Sequence, residues 1–304
     1  MRIVSLLPST TEIVHALGCG DQLVGRSHEC DHPAGVEALP VVTEPRVAVT
    51  GDSGGIDRQL RDILEQALSV YTVHTDVLAE LRPDVVLTQS LCEVCAVSLQ
   101  DVQRAVDDHL GTDVEVVALE PSTLQDVFDD IGRVATALGV AERALAVADG
   151  MRARIEAVRA ATADRPRRRV VTIEWIDPLM SAGNWMPDLL AAAGGDELFG
   201  RAGEHSPWLT WEGVVAADPD AIVVMPCGFD LDRTRAEAAA LRALPGWGEL
   251  RAVADGRVAL TDGHRYFNRP GPRLADSAEI LAEILHPDAV PVRHRGTGWE
   301  PFVG

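Results

Sequence analysis

The sequence predicts an α/β protein of two Rossmann-like lobes joined by one long backbone helix, with a ligand cleft between the lobes. Three observations predict it. The stretches "IVSLLPSTTEIVHALGCGDQLVG" (Ile3–Gly25) and "VVTIEWIDPLMSAGNWMPDLLAAAGGDELFG" (Val170–Gly200) run alike: strand, loop, helix, then glycine, aspartate, an apolar pair and glycine. A second echo pairs "LRPDVVLTQ" (Leu81–Gln89) with "ADPDAIVVMP" (Ala217–Pro226). In each, Pro-Asp precedes a continuous apolar run, as a strand covered on both faces requires. Two echoes in the same order argue for two similar lobes. Between them, Val140–Ala163 contains no proline and sets Ala144, Val147, Met151, Ile155 and Val158 at helical spacing. That is about 24 residues, or about 36 Å of helix.

Taken in order, "IVSLLP" is a strand ended by proline. Ser9 with Glu12 forms a capping-box pattern opening a helix that closes near Gly18, and Ser122 with Gln125 opens one that closes near Gly139. The long helix follows. Pro166 and its arginines ("RPRRR", Arg165–Arg169) read as a solvated linker into the second lobe. The expected division is 1–123 for the first lobe, 124–166 for the helical segment, 167–290 for the second lobe and 291–304 for a tail. Ligands of open parallel sheets sit outside the carboxyl ends of the strands. Those ends carry "PSTTE", "SHECDHP", "TQSLCEVC" and "LEPST" in the first half, and "EWIDPLMSAGNW", "MPCGFD" and "DGHRYFNRP" in the second.

The 304 residues carry a formal net charge of −20, and all 27 basic residues are arginine. Such an acidic chain is a poor partner for nucleic acid or anionic membrane. No run approaches the roughly 18 apolar residues of a membrane span. The opening lacks the pattern of an export signal. Five cysteines do not suggest a disulfide framework. A cytoplasmic protein is therefore expected, or a periplasmic or cell-surface one should a leader precede this sequence. There is no G-x-S-x-G, phosphate loop or zinc-protease helix, so a non-enzymatic protein is expected.

"SLLPSTTEIVHALG", "VGRSHECDHP", "LRPDVVLTQ", the long middle helix, "PLMSAGNW" and "DGHRYFNRPGPRL" together resemble the helical-backbone (class III) substrate-binding proteins of ABC importers, nearest the vitamin B12-binding branch. The resemblance spans Ile3 to His286. It implies two α/β lobes on a rigid helix and a large metal-chelate ligand: cobalamin or another corrinoid, haem or a siderophore. It places Glu29 and Gln89 where B12 binders often carry aromatics, which makes this first lobe more polar. It sets Trp175, Ser206 and Asp262 on further contact positions. It also puts one carboxylate on each lobe, Asp76 and Glu212, where an ABC permease docks.

The residues themselves add to this. Eleven of the thirteen aromatic residues lie after Val170, including all six tryptophans. Trp175, Trp185, Trp208, Trp211, Tyr266 and Phe267 sit in or beside the cleft-end loops. Their flat faces suit a large conjugated ring, although lobe packing competes as their role. Ser9, His28, His205 and His264 are further candidate contacts. Cys92, Glu93 and Cys95 lie on a first-lobe loop, with Cys30 beside His28, Glu29 and His32, and Cys227 on the second lobe. Four readings of the thiols compete: a metal ion held by Cys30, Cys92, Cys95 and His28; redox chemistry at C-x-x-C; approach to the metal of a bound chelate; and buried, inert cysteine. The resulting expectation is a binding protein for a corrinoid or related chelate, acting as a cytoplasmic carrier, store or sensor. Its partner would be an ABC permease or a cofactor-accepting protein. The rivals are an importer component and a thiol-dependent metal or redox protein.

Overall fold

The computed structural model describes residues 1–46, 51–65, 70–90, 99–109 and 114–303. The chain forms two compact units, one of residues 1–51, 55–121 and 125–149, the other of 52–54, 122–124 and 150–304. In chain order the first part carries β1 (Ile3–Ser5), α1 (Pro8–Ala16), β2 (Leu23–Arg26), β3 (Thr43–Pro45), α2 (Ser53–Glu65), β4 (Tyr71–Val73), α3 (Thr75–Leu81), β5 (Val85–Gln89), α4 (Leu99–His109), β6 (Glu115–Leu119) and α5 (Leu124–Ala137). Then come α6 (Ala141–Thr162), β7 (Arg168–Ile173), α7 (Met186–Ala192), β8 (Gly195–Glu197), α8 (Trp211–Ala217), β9 (Ala221–Val224), α9 (Leu231–Ala238), α10 (Arg251–Ala254), β10 (Val258–Thr261), α11 (Leu274–Leu285) and β11 (Trp299–Pro301).

The predicted long helix is α6, 22 residues from Ala141 to Thr162. The division between the units falls inside it, at Asp149/Gly150, rather than at either end of a separate helical segment. Met151, Ile155 and Val158 are buried along it, as their spacing predicts.

The first unit holds a parallel sheet of order β2-β1-β5-β6 and a separate antiparallel pair, β3-β4. The second holds β11-β10-β9-β7-β8, parallel except for the edge strand β11. Without β11, the orders β2-β1-β5-β6 and β8-β7-β9-β10 are the same topology written twice. Apolar strand runs feed a core cluster in each unit: Val4, Leu6 and Val86 with Val106 of α4 in the first, Val171, Ile173, Ile222, Val224 and Leu260 in the second.

The echo reaches single hydrogen bonds. Arg2 N donates to Asp84 Oδ2 at 2.6 Å and its Nε to Leu81 O at 2.7 Å. Arg169 N donates to Asp220 Oδ2 at 2.9 Å and its Nη2 to Ala217 O at 2.8 Å. Each pair ties the start of a central strand to the turn before its neighbour. Each also satisfies a carbonyl that the end of the preceding helix leaves open. Both turns pass through a left-handed residue, Arg82 (φ 42°) and Asp218 (φ 40°). The Pro-Asp signal therefore marks a strapped helix-to-strand turn.

Four local expectations are corrected. α1 begins at Pro8, so Ser9 lies inside its first turn and Leu7 is the cap residue, without a side-chain cap. Pro8 suits that first position, where its missing N–H would find no helical partner in any case and its fixed φ matches the helix. α5 begins at Leu124, two residues after Ser122, so Ser122 is not positioned as its cap. The arginine run is not a solvated linker. Arg165 pairs with Asp288 at 2.7 Å, Arg167 with Asp196 at 2.7 Å, and Arg168 and Arg169 open β7. The last residues are not a tail: β11 pairs antiparallel with β10, Glu300 opposite Leu260, and Trp299 is buried. Three residues ending in proline are too short to carry a strand signature.

Candidate ligand-binding site

In the second unit β7, β9 and β10 end side by side. Their loops are joined through the backbone: Met225 N to Ile173 O (2.8 Å), Cys227 N to Glu174 O (3.1 Å) and His264 N to Phe229 O (3.0 Å). This brings Glu174–Trp175, Met225–Phe229 and Asp262–Phe267 together at the carboxyl edge of the sheet. The approach is close enough to require glycine at 263, where a Cβ would stand 2.2 Å from Pro226 O. Gly263→Ala is expected to cost about 2 kcal/mol, read as a lowered urea midpoint, because the obstacle is backbone.

Trp175 is half-buried. Its ring packs 5.3 Å from that of Phe229, and its Nε1 donates to Asp177 O at 3.0 Å. Met180 bridges on one side to Trp175 and on the other to Trp208, so these two tryptophans flank one short extended segment. Trp208 is 60% exposed, an unusual state for an indole. Ser206 is buried and donates to Glu174 Oε2 at 2.8 Å while accepting from Gly183 N at 3.1 Å. His205 is exposed, with Nδ1 3.0 Å from Ser206 O. Asp262 is buried and accepts from Arg265 N at 2.8 Å, closing the turn at Gly263–Phe267. Burial pushes its carboxyl above the usual range, opposed by that N–H and the Arg265 charge. His264 is half-buried and Arg269 Nη2 donates to its Nε2 at 2.5 Å.

Trp185 and Phe267, expected as ligand contacts, are packing residues. Trp185 is buried with its Nε1 donating to Phe267 O at 3.0 Å, and Phe267 is wholly inaccessible. Trp211 opens α8, stacks on Trp247 at 5.9 Å and donates to Pro245 O at 2.7 Å. It is half-buried and packs against the core of the second unit. Tyr266 is half-buried beside His294, ring centroids 6.2 Å apart.

In the first unit the strand ends carry a buried hydroxyl network. Ser5 Oγ lies 2.6 Å from Thr10 Oγ1 and accepts from Thr11 Oγ1 at 2.7 Å, and Thr11 also reaches Cys30 Sγ at 3.1 Å. Ser9 is buried and its Oγ has no hydrogen-bond partner among the described residues. Glu29 is half-buried, its N donating to Ser27 Oγ at 3.2 Å, while Gln89 is buried at the end of β5. His28 Nδ1 lies 2.8 Å from Thr43 Oγ1, and burial holds its imidazole below the usual range. Cys92, Glu93 and Cys95 lie outside the described residues. Cys30, the described thiol of the expected metal set, is 1% exposed with its Sγ 3.1 Å from the Thr11 hydroxyl.

Among the described residues, the group whose donor atoms converge as a metal site would need is Asp276, Glu279 and His294. Sequence reading missed it because its members come from α11 and from the segment taken as a tail. Arg154 of α6 already supplies the cation there, reaching Asp276 at 2.5 Å and Glu279 at 2.9 Å. Asp76 and Glu212 are exposed and hold the same place in their units, the second residue of the seven-residue helices α3 and α8.

Each unit is built on a mainly parallel sheet, and open sheets of this kind take ligands outside the carboxyl ends of their strands. The chain belongs to the periplasmic binding protein family, whose description matches residues 3–264. It is 28% identical over 296 residues to the ABC transporter substrate-binding lipoprotein YvrC of Bacillus subtilis, covering 94% of this chain and 80% of that one. It is 23% identical to a vitamin B12-binding protein of Yersinia pestis (96% and 88% covered). A periplasmic heme-binding protein from Pseudomonas aeruginosa superposes with TM-score 0.71 at 25% identity, covering 96% and 95%. The protein is thus a non-enzymatic substrate-binding protein. No helix among the described residues is long and apolar enough to cross a membrane.

Proposed function

We propose that this protein binds a corrinoid, cobalamin or a close relative, as the substrate-binding component of an ABC importer. The observation that carries the reading is the edge formed by Trp175, Trp208 and Glu174, with the buried Ser206 and Asp262 holding its loops. Indole surface lies there beside carboxylate and carbonyl acceptors, Asp177 O among them. A corrin ring offers a broad conjugated face rimmed with amide N–H donors, which those acceptors suit. Haem carries carboxylates at its rim and would meet Glu174 unfavourably. The vitamin B12-binding relative supports the corrinoid, and the family match favours an importer component over a cytoplasmic carrier. Titration with cyanocobalamin, cobinamide and hemin tests the ligand. The corrinoids are expected to bind with a visible spectral change and co-elution; binding of hemin alone would overturn the reading.

The matched carboxylates Asp76 and Glu212 suit docking to a permease that presents arginines. The double variant Asp76→Arg, Glu212→Arg is expected to leave cyanocobalamin affinity within about twofold, because neither residue lies at a carboxyl-edge loop. Vesicle uptake with the cognate permease is expected to fall at least tenfold, since like charges would then face each other.

A further inference from the structure

We propose that the C-terminal segment Arg293–Trp299 is a positioning brace for the turn Asp262–Phe267, anchored by Glu283 and bearing on it through His294 and Gly298. Its relevance to ligand binding rests on the corrinoid reading above. The brace itself rests on contacts within the second unit.

Glu283 is 1% exposed, on the buried side of α11. Its carboxylate accepts from Arg293 N (2.7 Å), His294 N (3.1 Å) and Trp299 Nε1 (2.7 Å). A buried carboxylate with three N–H donors is held firmly, and removing its charge leaves those donors without a full partner. The anchored segment then touches the turn twice. Asp262 N donates to Gly298 O at 2.9 Å, and the His294 ring meets Tyr266 edge-on. Gly298 lies close against both α11 and the turn: a Cβ there would stand 2.7 Å from the end of the Ile280 side chain and 3.3 Å from the Tyr266 ring. His294 is fixed from its other side by Glu279 at 3.1 Å, and Glu279 by Arg154. Ser277 Oγ of α11 also donates to Tyr266 O, and Trp185 donates to Phe267 O. The turn that carries Asp262 and His264 is therefore clasped between α11 and the chain's last segment. Glu283 and His294 act on the site through other residues and are positioning residues.

Hydrogen exchange on the protein without ligand tests this directly. Glu283→Gln is expected to speed exchange of the 262–268 amides at least tenfold while the β9 amides (221–224) keep the wild-type rate. It is also expected to weaken cyanocobalamin binding at least fivefold. His294→Ala, a milder change should Glu283→Gln fail to fold, is expected to speed the same amides at least threefold, and His294→Gln to restore them by keeping a donor to Glu279. Unchanged exchange at 262–268 in His294→Ala, or exchange at β9 rising in step, would overturn the brace. If wild-type protein fails to bind cyanocobalamin, the ligand reading falls while the exchange result still decides the brace.

Discussion

Trp175→Ala is expected to weaken cyanocobalamin binding at least tenfold in calorimetry, with the unfolding midpoint little changed. The half-buried ring lies at the carboxyl edge and is held by Phe229 at 5.3 Å and by its bond to Asp177 O. A fixed indole presents its face without first having to be ordered, and loss of such a platform typically removes more than 1.4 kcal/mol, a factor of ten. Trp185→Ala makes the contrasting control. Its ring is buried against the turn, so folding stability should fall as well as affinity. Unaltered affinity in Trp175→Ala would remove that residue from the site.

The second large effect is on stability and lies away from any ligand. Asp130 on α5 is buried, with Oδ1 3.1 Å from Arg133 Nη1 and Oδ2 lacking a hydrogen-bond partner among the described residues. Burial pushes its carboxyl up to about 7; Arg133 opposes this, and Asp126 and Asp129 add to it. In the unfolded chain the same group ionises near the ordinary value of about 3.9. Between these values the folded protein holds a proton that the unfolded chain has lost. Stability from this group is therefore full below about pH 4 and declines through about pH 7, at up to about 1.4 kcal/mol per pH unit. Asp130→Asn should flatten that slope and raise stability at pH 8 by on the order of 2 kcal/mol, because a neutral amide does not carry the desolvation cost of a carboxylate. Urea unfolding at pH 5 and pH 8 reads both. A slope in Asp130→Asn equal to the wild type's would reject Asp130 as its source.

The features legible in the sequence were those that local chemistry determines. A proline-free run with apolar residues at helical spacing can only be a long helix, and α6 is one. Pro-Asp before a β-branched run marked β5 and β9 because the aspartate has a fixed backbone duty in both. The gathering of the loops was legible: those that carry Trp175, Ser206, Asp262 and His264 meet at one sheet edge. Which side chains face outward was not legible. Trp185 and Phe267 look like Trp175 in sequence, and only the fit of α7 against the Gly263 turn buries them. Ser9 was misplaced by a cap pattern, because Pro8 already opens the helix one residue before it. β11 and Glu283 were invisible because a buried carboxylate on a helix reads as a solvated one until the N–H groups it serves fold back from far along the chain.

The twin straps, Arg2 with Asp84 and Arg169 with Asp220, give the molecule a built-in pair of replicates. Asp84→Asn and Asp220→Asn make the same side-chain change in both straps, but Asp220 also pairs with Arg251 at 2.8 Å. The difference between their melting shifts therefore reports what that additional ion pair adds to an otherwise equivalent turn.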